Sequence, residues 1–131
     1  MALVDEGRGQ RPDGAPYLVP LSLDWYGERV IVCAQRTSRT IENVLRSGVA
    51  RLGLGPTRDV VILDAVVDNS YPAGEVSAAL AEHFAQRTGW DPRQERGDYV
   101  YVSLRPSRIL AWREANELPE RTIMRNGEWL S

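Results

Sequence analysis

The residues best suited to chemistry in this chain are Arg36, Thr37, Ser38, Arg39 and Thr40. Two guanidiniums and three hydroxyls fall in one short stretch, and Thr37 and Ser38 are of the types that cap a helix N-terminus. The open N–H groups and the dipole of such a terminus favour an anion, arginine adds bidentate charge-assisted bonds, and hydroxyls fill the remaining acceptor positions. The chemistry implied is the holding of a phosphate. The same five residues also suit a plain helix cap with two solvated arginines, and by themselves they leave both readings open.

Other reactive types are less pointed. His83 lies on the apolar stripe of a predicted helix, where a histidine is more often a satisfied packing residue than a general base. Asp59, Asp64 and Asp68 follow one strand without the spacing of a hydrolytic pair and read as rim or loop charges. Trp90, Trp112 and Trp129 are candidates to stack on a ring cofactor or to pack at a subunit interface, with packing favoured for each. Arg105 and Arg108 flank Pro106 and are placed to reach a cofactor tail across an interface, although the surface is their default position. Cys33 is the only cysteine, which excludes an internal disulfide and a zinc site of paired thiols; within Val30-Ile31-Val32-Cys33 it reads as a buried strand residue. Every basic residue is arginine, so Schiff-base and lysine-nucleophile chemistry are excluded, and no metal site is expected.

A chain of 131 residues with 43% apolar and 26% charged residues has room for one core, and residues 1–131 are expected to form a single domain. A formal charge of −2 argues against a nucleic-acid surface. No apolar run approaches the ~20 residues that span a bilayer, and Met1 to Gln10 lacks the order of a signal peptide, so the expectation is a cytoplasmic protein without a membrane partner.

The elements that must position these residues are mostly strands. Tyr17 to Trp25 reads as one strand, turned by Tyr26-Gly27-Glu28 into a second at Arg29 to Ala34. Arg11-Pro12-Asp13-Gly14 is a turn signal, with Met1 to Glu6 as a short first strand and residues 1–13 as a shortened N-terminal segment. A short helix opens at Thr37 or Ser38, carries Ile41, Val44 and Leu45 on one face, and stops at Gly48. Val49 to Gly55 is a short apolar segment, and Val60 to Val67 is a β-branched run of the kind covered on both faces, the likeliest core strand by pattern. A second helix is expected from Ala73 to Thr88, with Val76, Ala79, Leu80, His83 and Phe84 on one face and Gly89 as the stop. Tyr99 to Leu104 alternates and continues past a bulge at Pro106 to Trp112, and Asn126-Gly127 predicts a two-residue hairpin over residues 122–131. Strands outnumber the crossovers a parallel sheet needs, so the class is mainly β, α+β, in a barrel or sandwich with two helical inserts.

The run Gly14 to Leu21, then Thr37-Ser38-Arg39-Thr40 opening a helix with Asn43 and Arg46, resembles the flavin-binding core of the pyridoxamine 5′-phosphate oxidase-like family. Gly89-Trp90-Asp91-Pro92, Arg105-Pro106-Ser107-Arg108 leading to Ala111-Trp112-Arg113-Glu114, and Arg125-Asn126-Gly127-Glu128-Trp129 are similar to an actinobacterial branch of it. The resemblance implies a Greek-key-like split β-barrel and a homodimer holding FMN or the deazaflavin F420 between subunits. It implies that Ser38 and Arg39 grip the cofactor phosphate, with Thr37, Thr40, Arg36, Val19, Leu21 and Trp112 as further cofactor-binding positions. F420 has a longer acidic tail that requires extra cations, for which Arg36, Arg46 and Arg51 are the candidates. Thr40 stands where the authentic oxidase has lysine, and Leu18 to Leu23 carries no cation, so the resemblance does not extend to pyridoxamine phosphate oxidation. The activity it implies is FMN-dependent oxidoreduction of a small molecule, with F420-dependent reduction and noncatalytic binding of a flavin or other planar ligand as the alternatives.

Overall fold

The computed structural model describes residues 2–5, 18–56 and 58–130. In chain order the strands are β1 (Ala2–Asp5), β2 (Leu18–Leu21), β3 (Leu23–Tyr26), β4 (Arg29–Gln35), β5 (Val49–Leu54), β6 (Val60–Pro72), β7 (Tyr99–Trp112), β8 (Thr122–Arg125) and β9 (Glu128–Trp129). Helix α1 (Arg39–Ser47) joins β4 to β5, and α2 (Ala78–Thr88) lies between β6 and β7. All pairings are antiparallel and run β2-β1-β5-β6-β7-β4-β3, with β8 on β7 and β9 on β8. β5, β6 and β7 form a meander and β4 returns beside its last strand, which is a Greek-key order with α1 in the long connection. The turn expected at Arg11 to Gly14 lies outside the described residues.

The two ends of the sheet, β2 and β3, are separated along the chain only by Ser22. The chain therefore passes from one end of the sheet to the other in a single step, which curls the sheet into a split barrel. The expectation of one strand from Tyr17 to Trp25 is corrected here. Leu21 and Leu23 both turn toward the interior, so the alternation survives while the hydrogen-bonding partner changes from β1 to β4. Pro20, which has no N–H to offer a second neighbour, suits β2 to its end position.

Both helices begin where a serine can cap. Ser38 Oγ accepts from the Ile41 N–H at 3.2 Å, and Gly48, at φ 75°, closes α1 by donating to the Val44 carbonyl at 2.8 Å. The second helix starts at Ala78 rather than at Ala73. Residues Ala73 to Val76 form a turn whose Glu75 and Val76 N–H groups donate to the Pro72 carbonyl, and Ser77 Oγ then accepts from Leu80. Its buried stripe is Leu80, Ala81 and Phe84; Ala79 is exposed and Val76 precedes the helix, which revises the predicted face.

Two apolar clusters result, one on each side of the sheet. Val32, Ile41, Val44, Leu52, Ala65, Val102 and Leu104 fill the barrel and seat α1 against it. Ile31, Cys33, Tyr101, Leu80, Ala81 and Phe84 form a second cluster between the outer face of β4 and β7 and helix α2. The predicted bulge falls at Pro106 and Ser107, where Asp64 faces Arg108 while Ala65 faces Pro106. The C-terminal hairpin turns on Asn126 (φ 54°) and Gly127 (φ 79°), the left-handed pair a type I′ turn requires.

Candidate functional site: the N-terminus of helix α1

The last residue of β4, Gln35, pairs with Tyr99 and its carbonyl accepts from Ser38 N at 2.9 Å, folding the chain back into α1. Arg36 steadies this corner: its N–H donates to the Asp98 carbonyl at 2.7 Å and its Nε to Asp98 Oδ2 at 2.9 Å. Ser38 holds an extended backbone (φ −66°, ψ 146°) and spends its Oγ lone pair on Ile41, while its carbonyl accepts from Glu42 at 3.0 Å. The geometry of a helix start leaves the N–H groups of Arg39 and Thr40 without an intrahelical acceptor. The arginine side chain at that point is exposed, Thr37 is exposed beside it, and Thr40 is buried. One turn further, Asn43 is buried; its Oδ1 accepts from Arg46 at 3.0 Å, and its Nδ2 has no acceptor among the described residues.

The structure thus brings Arg36, Thr37, Ser38, Arg39 and Thr40 to one corner, with Arg36 bound into an ion pair. Trp112 is not part of that corner. It ends β7, whose first residue Tyr99 lies beside Gln35, and its ring sits under the Arg121 guanidinium at 5.9 Å. Leu21 packs against the barrel interior, and Val19, two residues earlier on β2, is half-buried. Arg51 binds Asp64 through two contacts of 2.6 and 3.4 Å, and Asp68 accepts from Arg29 at 3.1 Å. Trp90 packs edge-on against Phe84 and Tyr99 while its Nε1 donates to Glu95 at 3.0 Å. Burial pushes the Cys33 thiol up to about 12, which keeps it protonated and unreactive under ordinary conditions. Among the described residues no cluster of His, Cys, Asp or Glu could hold a metal ion, and no helix is long and apolar enough to cross a membrane.

One feature was out of reach of sequence reasoning. His83 does not simply pack: its Nδ1 lies 2.5 Å from Oδ2 of Asp24, a carboxyl 2% exposed on β3, and its ring lies 5.0 Å from that of Tyr26. The two residues are 59 positions apart, and Asp24 sits in a stretch with no local signal for a partner. The contact pins α2 onto β3.

No protein-family model matches the chain, and no curated protein sequence aligns with it. Solved structures do. An F420 reductase superposes with a TM-score of 0.65 at 16% identity, over 82% of this chain and 86% of that one. A putative pyridoxamine 5′-phosphate oxidase from Listeria innocua superposes with a TM-score of 0.61 at 11% identity, over 86% and 88%. The chain adopts the pyridoxamine 5′-phosphate oxidase-like split-barrel fold. An FMN-binding protein of that kind from Nostoc punctiforme agrees at a TM-score of 0.56 and 12% identity, over 84% and 72%. At these identities the likeness is one of fold, and the chemistry must be argued from the residues.

Proposed function

We propose that this split barrel is an FMN-dependent oxidoreductase, acting as a homodimer on a small molecule, with the cofactor phosphate held at the N-terminus of α1. The observation that carries the reading is the set of donors at that corner. The Arg39 and Thr40 N–H groups lack an intrahelical acceptor, and the Ser38 and Thr37 hydroxyls each keep a proton to donate. The exposed Arg39 adds a guanidinium, and the helix dipole places about half a positive charge there. A phosphate group fits this donor set. The flavin ring supplies hydride or electron transfer; the chain's residues bind, orient and exclude water, so no acid or base of the protein is required. Trp112, at the far end of β7, belongs to such a site only if the partner subunit brings it.

The likeness to an F420 reductase favours F420 as the alternative cofactor. Of the cations available for its acidic tail, Arg36 is held by Asp98, Arg46 by Asn43 and Arg51 by Asp64, so binding that tail requires exchanging these partners.

The absorbance spectrum of freshly purified protein distinguishes FMN from F420. Titration of the apoprotein with FMN then measures the phosphate grip: Arg39→Ala is expected to weaken binding by about tenfold or more, since a hydrogen bond to a charged group is worth roughly 1.5–3 kcal/mol. Unchanged affinity would remove Arg39 from the site. A flavin-loaded protein that takes hydride from no nicotinamide donor and reduces no acceptor is a carrier instead.

A further inference from the structure

Strand β4 begins at Arg29 and ends at Gln35, just before the α1 corner, so the barrel mouth near Val30 lies at the opposite end of the same strand. That mouth is a groove of about 270 Å³, open to solvent, whose lining is apolar throughout. Leu23, Val30, Leu63 and Ile109 form its floor, and Trp25 and Trp129 stand at its rim. The two indoles are 43% and 53% exposed, large apolar surface left in water. The same two rings also line a second cleft of about 150 Å³, which contains Arg29, Arg105 and Glu28. Arg29 is neutralised by Asp68, at 3.1 Å, whereas Arg105 is exposed and forms no ion pair among the described residues. The indoles are held by two tight hairpins, at Gly27-Glu28 and Asn126-Gly127; the second is tied down where Gly127 N donates to the Ser107 carbonyl at 2.8 Å.

An apolar groove bordered by a cleft that holds a guanidinium without an ion-pair partner among the described residues has the anatomy of a small-molecule site. We infer that the mouth and the adjoining cleft form one site for a medium-chain carboxylate, its tail in the apolar groove at the barrel mouth, its headgroup on Arg105, with Trp25 and Trp129 at the junction. A groove of about 270 Å³, open along one side, has room for a chain of about eight to ten carbons lying along it. The Arg105 fork takes a carboxylate in a bidentate pair. Glu28 in the same cleft repels each negative charge placed there, so a singly charged carboxylate is penalised less than a phosphate dianion. This site is separate from the α1 corner and does not depend on the cofactor reading.

The test titrates the whole chain, by calorimetry, with sodium decanoate and with 1-decanol, each kept below its aggregation threshold. Decanoate is expected to saturate one site per chain, with decanol weaker by about fivefold or more. Arg105→Ala should bring decanoate down to the level of decanol and leave decanol unchanged. Trp129→Ala should weaken both, and Arg39→Ala neither. Absence of saturable decanoate binding, decanoate binding indifferent to Arg105→Ala, or its loss in Arg39→Ala would each overturn the assignment.

Discussion

Replacing His83 by alanine should destabilise the fold by about 2 kcal/mol, and the structure sets that figure. Asp24 is 2% exposed, so its carboxyl has almost no water to turn to, and leaving a buried polar group unsatisfied costs roughly 1–3 kcal/mol. The His83 side chain is 40% exposed, so water can enter the space that the imidazole vacates, which removes the upper end of that range. The lost contact with the Tyr26 ring, at 5.0 Å, restores about 0.5 kcal/mol of the cost. Asp24→Ala should cost less, about 1 kcal/mol, because the imidazole it abandons is already half in solvent. The double variant should then show a coupling of about 1 kcal/mol or more, as expected for residues in direct contact. Guanidinium denaturation followed by circular dichroism gives all four corners of the cycle. His83→Asn, whose amide Nδ2 occupies nearly the place of the imidazole Nδ1, should recover part of the loss. Hydrogen exchange adds a positional readout: amides of α2 should lose protection in His83→Ala before those of β7, since the contact ties this helix to β3. Strict additivity of the two single losses, or a His83→Ala cost below about 0.5 kcal/mol, would refute the argument that the pair carries energy.

Two other outcomes follow from the backbone and from the outer core. Gly55 has φ +87°, and a Cβ there would lie within 2.2 Å of the Asp59 carbonyl oxygen; Gly55→Ala should cost at least about 2 kcal/mol in the same denaturation assay, whereas Gly53→Ala, with nothing near its added carbon, should stay within about 1 kcal/mol. Burial raises Cys33 from 9.0 to about 12 and Tyr101 from 10.0 to about 12. Above pH 9 the unfolded chain releases these protons while the folded chain keeps them, so stability should fall as pH rises from about 9 to about 12, by roughly 1.4 kcal/mol per unit for each group in its window. Stability curves at stepped pH check the slope, and Cys33→Ala should delay its onset toward pH 10.

What the sequence determined by itself was everything that obeys a local rule. Ser38 and Gly48 delimit α1 because capping and left-handed closure act within one turn of chain, and Asn126-Gly127 makes its hairpin because few other pairs reach that geometry cheaply. The β-branched run at Val60 marked a strand in the middle of the sheet, but of it only Leu63 and Ala65 are buried, and the strands covered on both faces are β4 and β7; the five residues from Arg36 to Thr40 meet at one corner because they are neighbours in sequence. What the tertiary structure decided is whatever depends on which strand lies beside which. The change of partner at Ser22 leaves the side-chain alternation intact, so no period in the sequence records it. Trp112 was separated from the Ser38 corner by the length of β7, and Trp25 was brought to Trp129 at the barrel mouth because the β3–β4 and β8–β9 hairpins lie end to end along β7. Asp24 found His83 across 59 positions because burying α2 against β3 left that carboxyl almost no other partner. Pairings of this kind are fixed by the burial of whole faces, a quantity that belongs to the folded chain and to no segment of it.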